Sequence, residues 1–195
     1  MRACVRWPCL LGACQTVFAR LLYGPEPAFS RTWRIQPDGG GDAPTIQAGI
    51  DSAAAGDTVL VHPGTYPENI NFLGKAIVLQ SSSGPDVTTL DGTGLGPWVV
   101  AFESGESRAS VLEGLEITGG ESGILILSAQ PTVIGNIITG NSGISIGGGI
   151  LCGAATPFPW YPLIQGNTIT DNYATNLGGG IGTEQLMVPE ILDNY

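Results

Sequence analysis

Carboxylates are the first side chains in this 195-residue chain that could do chemistry. Glu103, Glu106, Glu113, Glu116 and Glu121 fall within one short stretch of the sequence. Two carboxyls at a suitable separation can act as the acid and base of glycosidic cleavage. The surrounding glycines and serines instead suit solvated turn positions. Elimination at a sugar ring would need a basic residue and an aspartate cluster for calcium, and Arg108 is the only basic residue on that stretch. Asp38 and Asp42 in DGGGD have the look of a calcium loop, but a turn explains them more simply. His62, the only histidine, lies between an apolar run and Pro63-Gly64, which suits a turn better than a general base. No metal and no cofactor is expected.

Flat rings offer binding rather than catalysis. Phe158, Trp160 and Tyr161 sit together in GAATPFPWYP, on a loop of eleven residues (Leu151–Tyr161). The equivalent loops have six (Leu125–Gln130) and seven (Gly182–Val188). Aromatic rings on a proline-stiffened loop stack on sugar faces and lose little entropy on binding. The same rings could instead fold back over the chain or meet a partner domain. Cys152, in Gly-Ile-Leu-Cys with no histidine nearby, reads as a small packed side chain.

These residues must be positioned by repeats. PTVIGNIITGNSGISIGGGI (Pro131–Ile150) recurs thirty-one residues later as PLIQGNTITDNYATNLGGGI (Pro162–Ile181). Asn136 then falls on Asn167, Ile138 on Ile169, Asn141 on Asn172, and Gly147–Gly149 on Gly178–Gly180. A third copy starts at Pro189 and brings Asn194 twenty-seven residues after Asn167. Such a period, with short β-rich units and no helical pattern, predicts stacked coils. Asn136, Asn167 and Asn194 are expected to stack as an asparagine ladder. The glycine triplets precede strands, where they permit positive φ and close approach of neighbouring coils. A phosphate-cradling loop would need a following helix and usually a lysine, and the sequence has neither there.

Pro44–Ala55 is the one convincing helix, with Ile46 and Ile50 on one face and Gly56 as a stop signal. Thr58–Val61 reads as the first strand. Later apolar runs are Ile77–Leu79, Val99–Phe102, Ile124–Leu127, Ile150–Cys152 and one near Ile181, giving five or six coils of three short strands. The chain stops inside the third copy, so further coils are expected beyond it.

Charge excludes one class of partner. From Ile35 onward there are two basic residues, Lys75 and Arg108, against sixteen acidic ones, a net of about −14. Nucleic-acid binding needs clustered Lys and Arg, so it is not expected. An anionic polymer is disfavoured for the same reason, whereas neutral sugars are compatible. Only 12% of residues are charged, and 30 glycines and 14 prolines argue for many turns.

Residues 1–30 read as a targeting segment. Arg2 and Arg6 precede a mostly apolar run, and Ala28-Phe29-Ser30 offers a small-residue cleavage site. Leu11-Gly12-Ala13-Cys14 offers a lipoprotein alternative, and a misassigned start is a third. Cys4, Cys9 and Cys14 fall here, leaving Cys152 alone afterwards, so no disulfide framework is implied. No stretch approaches the roughly eighteen apolar residues of a transmembrane helix.

Ile35–Gly92 resembles the opening of pectin methylesterases. The similarity lies in DGGGD (Asp38–Asp42), TIQAGID (Thr45–Asp51), AGDTVLV (Ala55–Val61) and PGTYPENI (Pro63–Ile70), the last holding that family's Gly-x-Tyr-x-Glu pattern. The resemblance implies the pectin-lyase-like right-handed parallel β-helix, and packing or hydrogen-bonding roles for Tyr66 and Glu68 in its first coil. Residues 100–195 lack counterparts of the family's catalytic stretches, so no catalytic residue is carried over. From Gly114 the chain resembles β-helix repeats of large secreted bacterial proteins.

The resulting expectation is an all-β, right-handed parallel β-helix over residues 31–195, with a short N-terminal cap helix. The expected function is a secreted or cell-surface repeat module, non-catalytic, binding carbohydrate or a surface partner. The alternative is the N-terminal part of a polysaccharide lyase, esterase or glycoside hydrolase whose catalytic residues lie on further coils. Ice binding would require regular Thr-x-Thr rows, which Thr139 and Thr170 alone do not make.

Overall fold

The computed structural model describes residues 30–143, 147–155, 159–176, 178–184 and 186–195. Among the described residues the fold is all-β apart from one α-helix and one 3-10 turn at Pro85–Val87, and the sheets are parallel. The first sheet has seven strands, in the order Thr32–Ile35, Thr58–Val61, Val78–Ser81, Val111–Glu113, Thr132–Ile134, Leu163–Gln165 and Glu190–Leu192. Gly64–Tyr66, Thr88–Asp91, Glu116–Thr118, Ile137–Thr139 and Thr168–Thr170 form the second. Ile70–Asn71, Trp98–Phe102, Ser122–Leu127, Ile150–Gly153 and Ile181–Thr183 form the third. A short pair, Ser142–Gly143 with Tyr173–Ala174, completes the pairing. From Thr58 onward the chain visits the first, second and third sheets in rotation, so each circuit adds one strand to each.

Pairing in register turns a sequence repeat into columns of like side chains. In the first sheet Val59, Leu79, Leu112, Val133, Ile164 and Ile191 are successive partners. The second sheet aligns Tyr66, Leu90, Ile117, Ile138 and Ile169. Ile70, Val100, Ile124, Ile150 and Ile181 align in the third. Because strand side chains alternate between faces, a one-residue slip would expel a whole column from the core. Fully burying an Ile, Leu or Val contributes roughly 1.5–3 kcal/mol, so these columns set the register. Phe72 and Phe102 add an aromatic contact, with ring centroids 4.3 Å apart.

The expected position of the first strand needs correction. Thr32–Ile35 precedes the expected first strand and pairs with it in parallel, Ile35 opposite Val61. Its apolar signal is broken by Arg34, and the Arg31 guanidinium lies 3.6 Å from the Trp33 ring centroid. The first sheet accordingly holds seven strands, against five in each of the other two.

The helix, α1, runs Ile46–Ser52 and buries Ile46, Gly49 and Ile50. It is shorter than the sequence pattern because its caps lie inside that pattern. Thr45 Oγ1 accepts from the Ala48 amide at its start, and the Ala53 amide closes its end by donating to the Gly49 and Ile50 carbonyls. The helix packs closely on the first strand at Gly49, where a Cβ would stand 2.8 Å from Ile35 Cδ1.

Candidate functional site

Asparagines form the most regular polar feature. Asn136 Nδ2 donates to Asn167 Oδ1 at 3.0 Å, and Asn167 Nδ2 donates to Asn194 Oδ1 at 2.9 Å. The same oxygens accept the backbone amides of Asn136 and Asn167. Asn136 and Asn167 are buried, and each second amide hydrogen goes to a carbonyl, Leu112 O for Asn136 and Val133 O for Asn167. A parallel ladder that the sequence reading did not assign joins Asn141 Nδ2 to Asn172 Oδ1 at 2.9 Å. Its signal was present, because the two residues hold equivalent places in the repeat. These ladders satisfy turn backbone and leave no group free for a ligand.

The glycine triplets sit beside them. Gly147 has φ +71°, and a Cβ on Gly148 would stand 2.5 Å from the Tyr173 carbonyl oxygen. The triplet therefore serves close approach of successive circuits.

The candidate acids are spread through the scaffold. Glu106, expected in solvent, is fully buried: Oε1 accepts from the Gly74 amide and Oε2 from the Ser104 amide, at 2.8 and 2.9 Å. Two backbone donors replace the water that the carboxylate loses. Glu116 Oε2 accepts from Thr89 Oγ1 at 2.6 Å. Glu113 and Glu121 are exposed. Arg108 spans the surface to Glu190 at 2.7 Å and donates to the Tyr161 carbonyl. Asp38 and Asp42 accept from the Gly40 and Arg34 amides, as turn residues do. Among the described residues no three His, Cys, Asp or Glu side chains converge as a metal site.

Near α1 the first two circuits hold several side chains in structural roles. Glu68 accepts from the Ile46 and Gln47 amides, and the Tyr66 hydroxyl donates to the His62 carbonyl at 2.7 Å. Burial, reinforced by the carboxylates of Glu68 and Asp38, pushes the Tyr66 phenol up to about 12. Asp57 accepts from the Arg31 and Ala54 amides and from Trp33 Nε1, and those backbone bonds hold its carboxyl below the usual range against the opposing effect of burial. His62 Nε2 is buried with no hydrogen-bond partner. Cys152 is buried, and desolvation pushes its thiol up to about 12.

The aromatic loop is divided. Phe158 lies outside the described residues. Trp160 is half-buried, packs against the core and bridges to Met187 in parallel. Tyr161 is exposed. The threonine rows are mixed: Thr139 pairs with Thr170, but Glu116 and Ile137 interrupt the neighbouring row between Thr89 and Thr168.

One open groove stands out on the outer side of the third sheet, beside α1. Its volume is about 240 Å³, and its walls include Gln47, Asn69, Asn71, Leu95, Trp98 and Glu103. Gln47 is tied to both backbone groups of Asn71: its Oε1 accepts the amide at 2.8 Å and its Nε2 donates to the carbonyl at 3.2 Å. Asn71 Nδ2 donates to Glu103 Oε1 at 2.8 Å. Asn69 Oδ1 is buried without a partner. The sequence reading missed this site because its residues come from a helix, two strands and a turn, with no shared motif. No family model matches this chain, and no curated protein matches its sequence.

Proposed function

We propose that the three parallel sheets are the walls of a right-handed parallel β-helix of the pectin-lyase-like kind. On this reading the chain is a secreted or cell-surface repeat module that binds carbohydrate without cleaving it. The observation that carries the proposal is the groove beside α1, which combines an indole, side-chain amides and a single carboxylate, Glu103. Aromatic faces and amides suit sugar rings and hydroxyls, whereas hydrolysis ordinarily needs a second carboxyl. Glu106, the nearest alternative in sequence, and Glu116 already serve backbone amides and a threonine hydroxyl. The net charge of the body also favours neutral saccharides over polyanions. Export is supported by the composition of residues 1–30. Among the described residues no helix is long and apolar enough to cross a membrane.

The test is incubation of the full chain with an array of neutral and acidic glycans, and separately with soluble polysaccharides. Retention of neutral glycans with no new reducing ends or unsaturated products is expected. Absence of binding to every glycan overturns the carbohydrate reading, and product release overturns its non-catalytic part.

A further inference from the structure

The groove beside α1 presents one carboxylate held in a fixed position beside an indole. Glu103 Oε1 is held by Asn71 Nδ2, which fixes the carboxylate at one end. Asn71 is itself fixed, because its Oδ1 accepts the Leu73 amide at 2.8 Å while its own amide donates to Gln47. Trp98 lines the same groove, with Leu95, Gly96 and Pro97 beside it.

We propose, building on the carbohydrate reading, that this groove is a subsite for one neutral sugar ring. Trp98 supplies the stacking face, while the Glu103 carboxylate accepts from a ring hydroxyl. The volume of about 240 Å³ falls below the 300–1,000 Å³ of sites that enclose drug-sized ligands, so it fits a single ring of a chain or a terminal residue. The carboxylate of Glu103 repels a uronate at the same place, in a body with only two basic residues after Ile35. The subsite therefore discriminates on charge as well as shape.

The experiment uses the full chain and calorimetric titration with cello-, xylo-, manno- and galacto-oligosaccharides, and with oligogalacturonate. Trp98→Ala should weaken the best neutral ligand by about tenfold or more, and Trp98→Phe should retain most of the affinity. Glu103→Gln keeps the shape and removes the charge, so it should narrow the neutral-to-uronate preference by several-fold. That variant keeps the test decisive if Trp98→Ala fails to fold. Unchanged binding by folded Trp98→Ala, or an unchanged preference in Glu103→Gln, overturns the subsite while the carbohydrate reading stands. Loss of binding in Tyr161→Ala with full retention in Trp98→Ala moves the site to the aromatic loop and also overturns it. No binding of any saccharide by the unmodified chain overturns both.

Discussion

Glu68 and Lys75 hold opposite ends of the same helix. The Glu68 carboxylate accepts the Ile46 and Gln47 amides at 2.9 and 3.0 Å. Lys75 Nζ donates to the Ile50, Asp51 and Ala53 carbonyls at 2.8, 2.7 and 3.0 Å. Each charge lies at the helix end whose dipole it complements. A seven-residue helix is too short to persist alone in water, so these two side chains tie it to the first circuit. Glu68→Ala should cost about 1–2 kcal/mol, and Lys75→Met about 1 kcal/mol, read as shifts in denaturation midpoint at constant slope. Midpoints unchanged in both variants would refute the clamp.

The middle of the asparagine ladder should be its most sensitive point. Asn167 accepts two bonds from Asn136 and donates to Val133 O and Asn194. Asn167→Ala strands several buried partners, at roughly 1–3 kcal/mol for each group left unsatisfied. A loss of about 3 kcal/mol in equilibrium unfolding is expected. Asn194→Ala, at a half-buried position, should cost less.

Two titrations should bracket the stability profile. Asp57 has a folded-state pKa below the ordinary carboxylate value, so its contribution is complete above about pH 4 and is lost as pH falls through the folded value. Asp57→Asn should flatten the acid limb of a stability–pH curve. Tyr66 is shifted the other way, to about 12, so its contribution is complete below about pH 10 and fades between there and pH 12. Tyr66→Phe should flatten the alkaline limb. Limbs that match the unmodified protein would remove these groups from the profile.

Cys152 should be chemically silent until the fold opens. Its side chain is buried and its thiol is pushed up to about 12, so the reactive thiolate is scarce at neutral pH. Alkylation followed by peptide mass spectrometry should label Cys152 slowly in the native protein and rapidly in denaturant. Equal rates would contradict its burial.

The strand columns and the Asn136–Asn167–Asn194 ladder were legible because each depends on residues recurring at one offset. In-register stacking converts such an offset directly into contact, as Ile138 opposite Ile169 illustrates. Thr32–Ile35 was less legible, since a strand outside the repeat has only its own four residues to announce it. Burial of Glu106 was illegible for a different reason. A carboxylate among serines and glycines looks solvated, and only the fold brings the Gly74 amide, thirty-two residues away, to its oxygen. The groove was hidden in the same way, because Gln47 and Asn71 meet across twenty-four residues without a common motif.

Parallel stacking of successive circuits is the premise of every site described above, and nuclear Overhauser contacts in isotope-labelled full-length chain probe it directly. Ile137 should contact Thr168, Ile138 should contact Ile169, and Thr139 should contact Thr170, all in the same direction, with the Thr168 amide protected by its 2.8 Å bond to Asn136 O. A well-dispersed spectrum in which these pairs are absent, or run in reverse order, would contradict the stack.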